Sequence, residues 1–549
     1  MLDAEQHATL ISLTAHLDSF LRREHPLFFS SQPKHPFSAQ KPYKDIHDPI
    51  WGTNRFSWRE LALIDSPIIQ RLRGIHQTGL AYHVYPAARH SRFEHSLGVV
   101  TVAARVFDAI VRRHAGKMRD IARSIGNAED TEQTISSWRQ ELRLAALLHD
   151  SGHSLHSHAS ERVYSQLDIL RRASDELTLF AGHEKGAGEV ISFCLSQTPA
   201  LRELLVRAES KLIITSDNPA ECRGPVDLTN VSLLIIGRSK HPLLQFMGDI
   251  ISSGFDADKL DYLLRDASAA GLPLKYDLER YLATVYLQDA PLQDSPKGDL
   301  LKLYKAAGTN VTINDKRPHI RFLYFDSLRL RLPKRSINTI EQITICKLML
   351  FSYIYHHQKV RSAEGLLGQL LSKIVDNWHA SGKSDEEILE QFLSLQDAAL
   401  EGPEFLGSKD PEIQAMSYRL INRLLPRIVY QIGSNPPPAQ AKQLENFFSK
   451  LGDKDNKKKL LAQFELTVGQ ELIKHRQDLG TDPIRACWKA GVRLDVPSGP
   501  SFEGMDELIG EASPTQLVRI SDMFPIGKWT EAYQSHRYNV RVFAFSDAR

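Results

Sequence analysis

The run Leu144-Ala145-Ala146-Leu147-Leu148-His149-Asp150-Ser151-Gly152-His153 constrains this chain more than any other. Leu144, Leu147 and Leu148 recur at helical spacing on one face, so the run reads as a buried helix that stops where His149 and Asp150 begin. A borderline nitrogen donor beside a hard oxygen donor, delivered by an apolar helix, suits a metal ion. Adjacent His-Asp pairs also occur as surface or hydrogen-bonding pairs, so the rest of the chain has to decide.

At 549 residues the chain exceeds one ordinary core, and two or three lobes with room for a large buried site are expected. A formal net charge of +2 gives no mandate for nucleic acid or a membrane surface, while a local basic pocket remains open to anionic small molecules. Cys194, Cys222, Cys346 and Cys487 are scattered without CxxC spacing, which argues against a disulfide framework or a thiolate zinc site and for reduced core residues. The first 23 residues carry Asp3, Glu5 and Asp18 among their apolar positions, and no later apolar run approaches the roughly 18 to 20 residues of a membrane span. A soluble, cytoplasmic protein is expected.

Residues 1–40 read as a small N-terminal helix over 10–21 and an irregular, proline-rich connector. Residues 41–375 read as the main helical core. Within it, 44–52, 64–73 and 77–79 suggest turn, helix and turn, and Val99, Val102, Val106 and Ile110 form the stripe of a long helix that starts near His95. The span 196–240, with Asn218-Pro219 and Gly224-Pro225, resembles an insertion, and His156 reads as a solvated loop histidine. Asp258, Tyr262 and Asp266 stand at i, i+4 and i+8 on one helix face, whereas Asp261 and Arg265 form an i,i+4 ion pair on another. Residues 376–549 read as a C-terminal lobe, with helical patterns to Gln431, a linker at 433–438, a solvated charge run at 454–459 and a strand at 538–545. The fold class expected is mostly α, with a smaller mixed α/β C-terminal lobe.

His95, His149, Asp150 and Asp258 together supply two imidazoles and two carboxylates from separate helices, the mix that suits a catalytic divalent first-row metal with open positions. The order Arg-Phe-Glu-His-Ser-Leu-Gly, His-Asp-x-Gly-His, His-Glu and Asp-Ala-Asp-x-x-Asp-Tyr-Leu-x-Arg-Asp resembles the HD-domain deoxynucleoside triphosphate triphosphohydrolases over roughly residues 44–364. The resemblance implies an HD-domain helical core and hydrolysis of a dNTP to deoxynucleoside and inorganic triphosphate. It makes His95, His149, Asp150 and Asp258 the ligands of one divalent metal (Fe, Mn, Zn, Ni or Mg), with Mg accompanying the nucleotide phosphates. Arg92, His153, His158, His183, Lys259 and Tyr262 would line the phosphates, with Lys347 where an Arg is usual. His158, oriented by Glu161, and His183 are the candidates for proton transfer. Asp266 would meet the sugar 3′-hydroxyl, and Gln77, Thr78 and Tyr355 would surround the sugar.

In vertebrate members of that family, positions matching Lys44, Asp65, Gln70 and Arg73 form an allosteric guanine-nucleotide site between subunits. A guanine-nucleotide activator and a homo-oligomer (dimer, tetramer or hexamer) are therefore implied, and some members act in antiviral defence by draining nucleotide pools. The same run around Asp65 also serves relatives as a packing element. The chain departs from the pattern at Ser151, at Ser154-Leu155-His156 in place of Gly-Pro-Phe, at Thr78 and at Lys347, which puts base and sugar preference in question more than reaction type. Two other readings stay open: hydrolysis of another phosphate ester, and a nucleotide-sensing or nucleic-acid-binding regulator without turnover.

Overall fold

A computed structural model describes residues 7–29, 43–210, 224–291, 311–313, 323–432, 454–496, 508–510, 517–519, 525, 528–529 and 540–545. Most of the N-terminal connector, Asn218-Pro219 and the 433–438 linker lie outside the described residues. The protein is mostly α, with small antiparallel sheets.

The first helix, α1 (Ala8–Glu24), buries Leu10, Leu13, Leu17, Phe20 and Leu21 in the main core. Residues 44–52, expected as a turn, instead belong to a hairpin of β1 (Tyr43–Asp48) and β2 (Gly52–Ser57). Asp48 makes the turn by accepting the N–H groups of Ile50 and Trp51 at 2.7 and 2.8 Å, and Gly52 takes φ +72°, a conformation that favours glycine. Helix α2 (Trp58–Ile64) follows directly behind a Ser57/Glu60 capping box.

Three helices carry the centre. Helix α3 (Arg92–Arg113) begins with a capping box in which Ser91 and Glu94 exchange hydrogen bonds, ends in Arg112 and Arg113, and buries Val99, Val102, Val106 and Ile110. Helix α4 (Thr131–Leu148) is capped by Asp130 and buries Ala145, Ala146, Leu147 and Leu148, so that His149 emerges at its C-cap. At Leu147, fully buried, truncation to Ala is expected to cost about 2–5 kcal/mol. A turn with His156 and Ser157 at φ +49° and +57° leads into α5 (His158–Tyr164). Helix α6 (Ala187–Gln197) packs against α7 (Leu228–Ile235), which also lies on α4. Part of the expected insertion is thus core. Helix α8 (Ala257–Ala269), capped by Asp256, lies against α3 at Gly98, where a Cβ would stand 2.0 Å from an Asp261 oxygen.

A three-stranded sheet not anticipated from the sequence, in the order β3 (Tyr286–Pro291), β5 (Leu323–Arg331), β4 (Val311–Ile313), precedes α9 (Ile337–Leu350). A π-helical turn, Phe351–Tyr355, then leads to α10 (Gln358–Ala380). The helical pattern read as far as Gln431 gives way earlier, because Pro426 cannot continue a helix and Ile428, Val429 and Tyr430 favour a strand. There β6 (Arg427–Ile432) joins a sheet in the order β6, β10 (Val540–Ala544), β7 (Arg493–Asp495). This lobe also holds α11 (Lys454–His475) and α12 (Pro483–Lys489), with a small apolar cluster of its own around Ala486, Cys487 and Val492, while the short pair β8 (Leu508–Gly510) and β9 (Leu517–Arg519) meets β5. Among the described residues, no helix is long and apolar enough to cross a membrane.

Candidate active site

His95 on α3 and His149-Asp150 at the end of α4 bring one donor atom each to within 4.8 Å of one another. Asp258, in the first turn of α8, adds a carboxylate oxygen 3.1 Å from His95 Nε2 and 3.9 Å from His149 Nε2. The orientation of both rings is set from behind. His95 Nδ1 lies 2.8 Å from Asp261 Oδ2, and His149 Nδ1 lies 2.7 Å from the Ala146 carbonyl, so each ring turns its Nε2 inward. Both Nε2 atoms are buried and neither completes a hydrogen bond. Two orphaned imidazole nitrogens facing two carboxylates fit a divalent first-row cation.

The electrostatics agree. Burial lowers the His95 pKa, but Asp258 and Asp261 more than reverse this and push it up to about 10. Burial likewise raises Asp150, yet Arg92 and His149 hold its carboxyl well below the usual range. A buried ring held cationic by carboxylates marks a place of strongly negative potential, where a metal takes the proton's position.

His149, Asp150 and Asp258 line a pocket of about 580 Å³, with His95 fully buried behind them. Arg92, almost fully buried, donates to Asp150 and, at 2.7 Å, to Ser157 Oγ. On α5, His158 Nδ1 lies 2.9 Å from Glu161, and its ring meets His153 edge-on at 4.8 Å. Burial raises the Glu161 carboxyl, but His158 and His153 hold it far below its ordinary value; burial and Arg92 lower the His153 ring. On the opposite wall, Lys259 Nζ donates to Asp256 and the Ser253 carbonyl, and Tyr262 follows one turn later. Asp266 pairs with His90 Nε2 at 2.7 Å and accepts from the Tyr355 hydroxyl. Gln77 and Thr78 close that end, with Gln77 Oε1 buried and lacking a hydrogen bond.

Other expected residues stand apart. Lys347 is buried but does not line the pocket; burial, with Lys259 close by, lowers its ammonium to about 8. His183 also lies outside the lining, with Nδ1 3.2 Å from the Ala181 carbonyl, and burial together with Lys185 and Arg238 pulls it down to about 3. Lys44 and Asp65 are exposed, Gln70 donates to the Ile64 carbonyl at 2.7 Å, and Arg73 bonds to Gln70 while lying over the Phe93 ring. None of the four lines the pocket.

Two corrections concern residues read as inert. Asp261 and Arg265 are a buried network rather than a plain helix-stabilising pair, since Asp261 holds His95, receives the Trp51 indole N–H and binds Arg265 through two bonds, while Arg265 reaches Asp48 at 2.8 Å. His156 is 1% exposed rather than solvated. His90, which holds Asp266, went unnoticed; its only signal was its place two residues before Arg92.

Bovine deoxynucleoside triphosphate triphosphohydrolase SAMHD1 is 30% identical over 251 residues, which cover 44% of this chain and 38% of that protein. The SAMHD1 homolog of Dictyostelium discoideum is 24% identical over 399 residues, 72% of this chain and 61% of that one. The chain is similar to deoxynucleoside triphosphate triphosphohydrolases of the SAMHD1 kind. It spans between 38% and 61% of the length of these two relatives. No family model matches the chain. The fold recurs in the solved structure of a phosphohydrolase from Bacteroides thetaiotaomicron, which covers 91% of this chain and 99% of its own at 17% identity and a TM-score of 0.55.

Proposed function

We propose that the protein is a metal-dependent dNTP triphosphohydrolase that releases a deoxynucleoside and inorganic triphosphate. The observation that carries this reading is the convergence of His95, His149, Asp150 and Asp258 in a pocket whose walls also present Arg92 and Lys259. When bound there, a divalent cation supplies a Lewis acid for the α-phosphoryl group and lowers the pKa of a neighbouring water. Arg92 and Lys259 neutralise the triphosphate, with Tyr262 donating beside them. His158, whose Nδ1 is held by Glu161, presents Nε2 to the pocket and moves the proton, a role worth roughly a hundred- to ten-thousandfold in rate. His153 stays neutral behind it. Asp266, aimed by His90 and Tyr355, accepts the sugar 3′-hydroxyl, and the Tyr355 ring packs near C2′.

The test is product analysis after incubating the purified protein with each dNTP and Mg²⁺ or Mn²⁺. Deoxynucleoside with intact triphosphate is expected. Nucleoside monophosphate with pyrophosphate would indicate a different phosphate-ester chemistry, and tight nucleotide binding without any product would indicate a sensor.

A further inference from the structure

Behind the turn that carries His153 and His158 lies a second group of metal-type donors that the proposed chemistry does not use. His76, next to Gln77, His156 in the turn itself, and Asp397 in the 3-10 turn Asp397–Glu401 bring one donor atom each to within 4.8 Å of one another. Asp397 Oδ2 stands 2.5 Å from His76 Nδ1 and 3.3 Å from His156 Nδ1. The two imidazoles lie nearly parallel, 20° apart, on either side of it.

The carboxylate is fixed before any ion arrives, because Oδ2 accepts the His76 backbone N–H at 2.9 Å and Oδ1 accepts that of His156 at 2.6 Å. The rings are not satisfied in the same way. His76 Nδ1 is already paired with Asp397, whereas His156 is 1% exposed and neither of its ring nitrogens completes a hydrogen bond. Buried polar atoms are ordinarily paired, and a fully buried imidazole left open beside a carboxylate points to a ligand. Burial lowers the His156 pKa, so its ring is in the neutral form that coordinates metals. His83 Nε2, next to Tyr82, is likewise buried without a hydrogen bond.

We propose that His76, His156 and Asp397 bind a second divalent first-row cation of the zinc type, distinct from the ion at His95, His149, Asp150 and Asp258. Two imidazoles and one carboxylate match the ligand preference of such ions. The ion would clamp three chain segments that converge at Asp397: the pocket wall at Gln77 and Thr78, the turn at 153–158, and the 3-10 turn at 397–401. This makes it a structural ion that sets the distance between sugar wall and proton-transfer histidines.

The full chain, stripped with a chelator, is titrated with Zn²⁺ against a chromophoric competitor. Wild type is expected to bind two equivalents, His149→Ala one, His156→Phe one and the double variant none. Phe keeps the ring volume of His156, and the equivalent retained at the first site reports that the variant is folded. Should His156→Phe fail to fold, His76→Phe removes a ligand without altering the strained turn and is expected to give the same loss of one equivalent. Undiminished stoichiometry in these variants, or a wild type that binds a single equivalent lost in His149→Ala, overturns the proposal. Because the readout is bound metal, it is independent of whether dNTPs are the substrate.

Discussion

The two carboxylate faces of α8 are made of the same residue types and behave differently. On one face, Asp261 is saturated: His95, the Trp51 indole and two Arg265 nitrogens all bond to it, and Arg265 is in turn held by Asp48. On the other, Asp258 faces two imidazole nitrogens that complete no hydrogen bond. A buried charge with every partner in place is scaffold, and buried donors that converge without partners form a site. The faces are linked through one ring, since Asp261 holds Nδ1 of the histidine whose Nε2 meets Asp258.

The largest expected effect lies on the open face. His149→Ala or Asp150→Ala should remove the metal equivalent bound at this face and lower kcat/KM by about a thousandfold or more, because a cation there would contribute several kcal/mol of transition-state stabilisation. Full metal content with full turnover in either variant would break the distinction between the faces.

Exchanging equivalent substitutions across the helix sharpens it. Asp261→Asn should lose about 3–5 kcal/mol of stability, because Arg265 is left buried beside an uncharged partner, and metal affinity should fall about 10- to 100-fold as His95 loses its anchor. Asp258→Asn, measured under chelator, should stay within about 1 kcal/mol of wild type while metal affinity collapses. Equal destabilisation in urea melts of the two variants would show that both faces are scaffold.

A smaller effect, one that changes with pH, is expected at Lys347. Burial depresses its pKa from 10.5 to about 8, so the folded state disfavours the ammonium. The cost is therefore full below about pH 8, fades as pH rises and is gone above about 10.5. Lys347→Met should raise stability at pH 7 by up to about 3 kcal/mol, with the gain vanishing by pH 10.5. A gain unchanged across that range would mean that packing, not charge, sets the difference.

What could be read from the sequence follows the same division. The convergence on the open face was legible because each proposed ligand sits where an apolar helical stripe ends or a cap begins, at His149 after Leu148 and at Asp258 after Asp256. The saturated face was not, because Asp261 acquires its meaning from Trp51 and Asp48 in a hairpin some 210 residues earlier, whose short strands show little alternation. His156 was misread for a similar reason: it is drawn inward by Asp397, 241 residues downstream, through a turn at positive φ. The span to Gln431 was read through Pro426 as a continuing helix, although its β-branched and aromatic residues pair with a strand more than 100 residues later. His183 heads a plausible motif, but the loop that carries it places the ring against Ala181.

The most direct measurement is anomalous scattering from crystals of the protein grown with Mn²⁺ or Zn²⁺, collected at the metal's absorption edge. A peak about 2.0–2.3 Å from His95 Nε2, His149 Nε2 and an oxygen each of Asp150 and Asp258 is the expected result. Crystals with no anomalous density between those four side chains would contradict it.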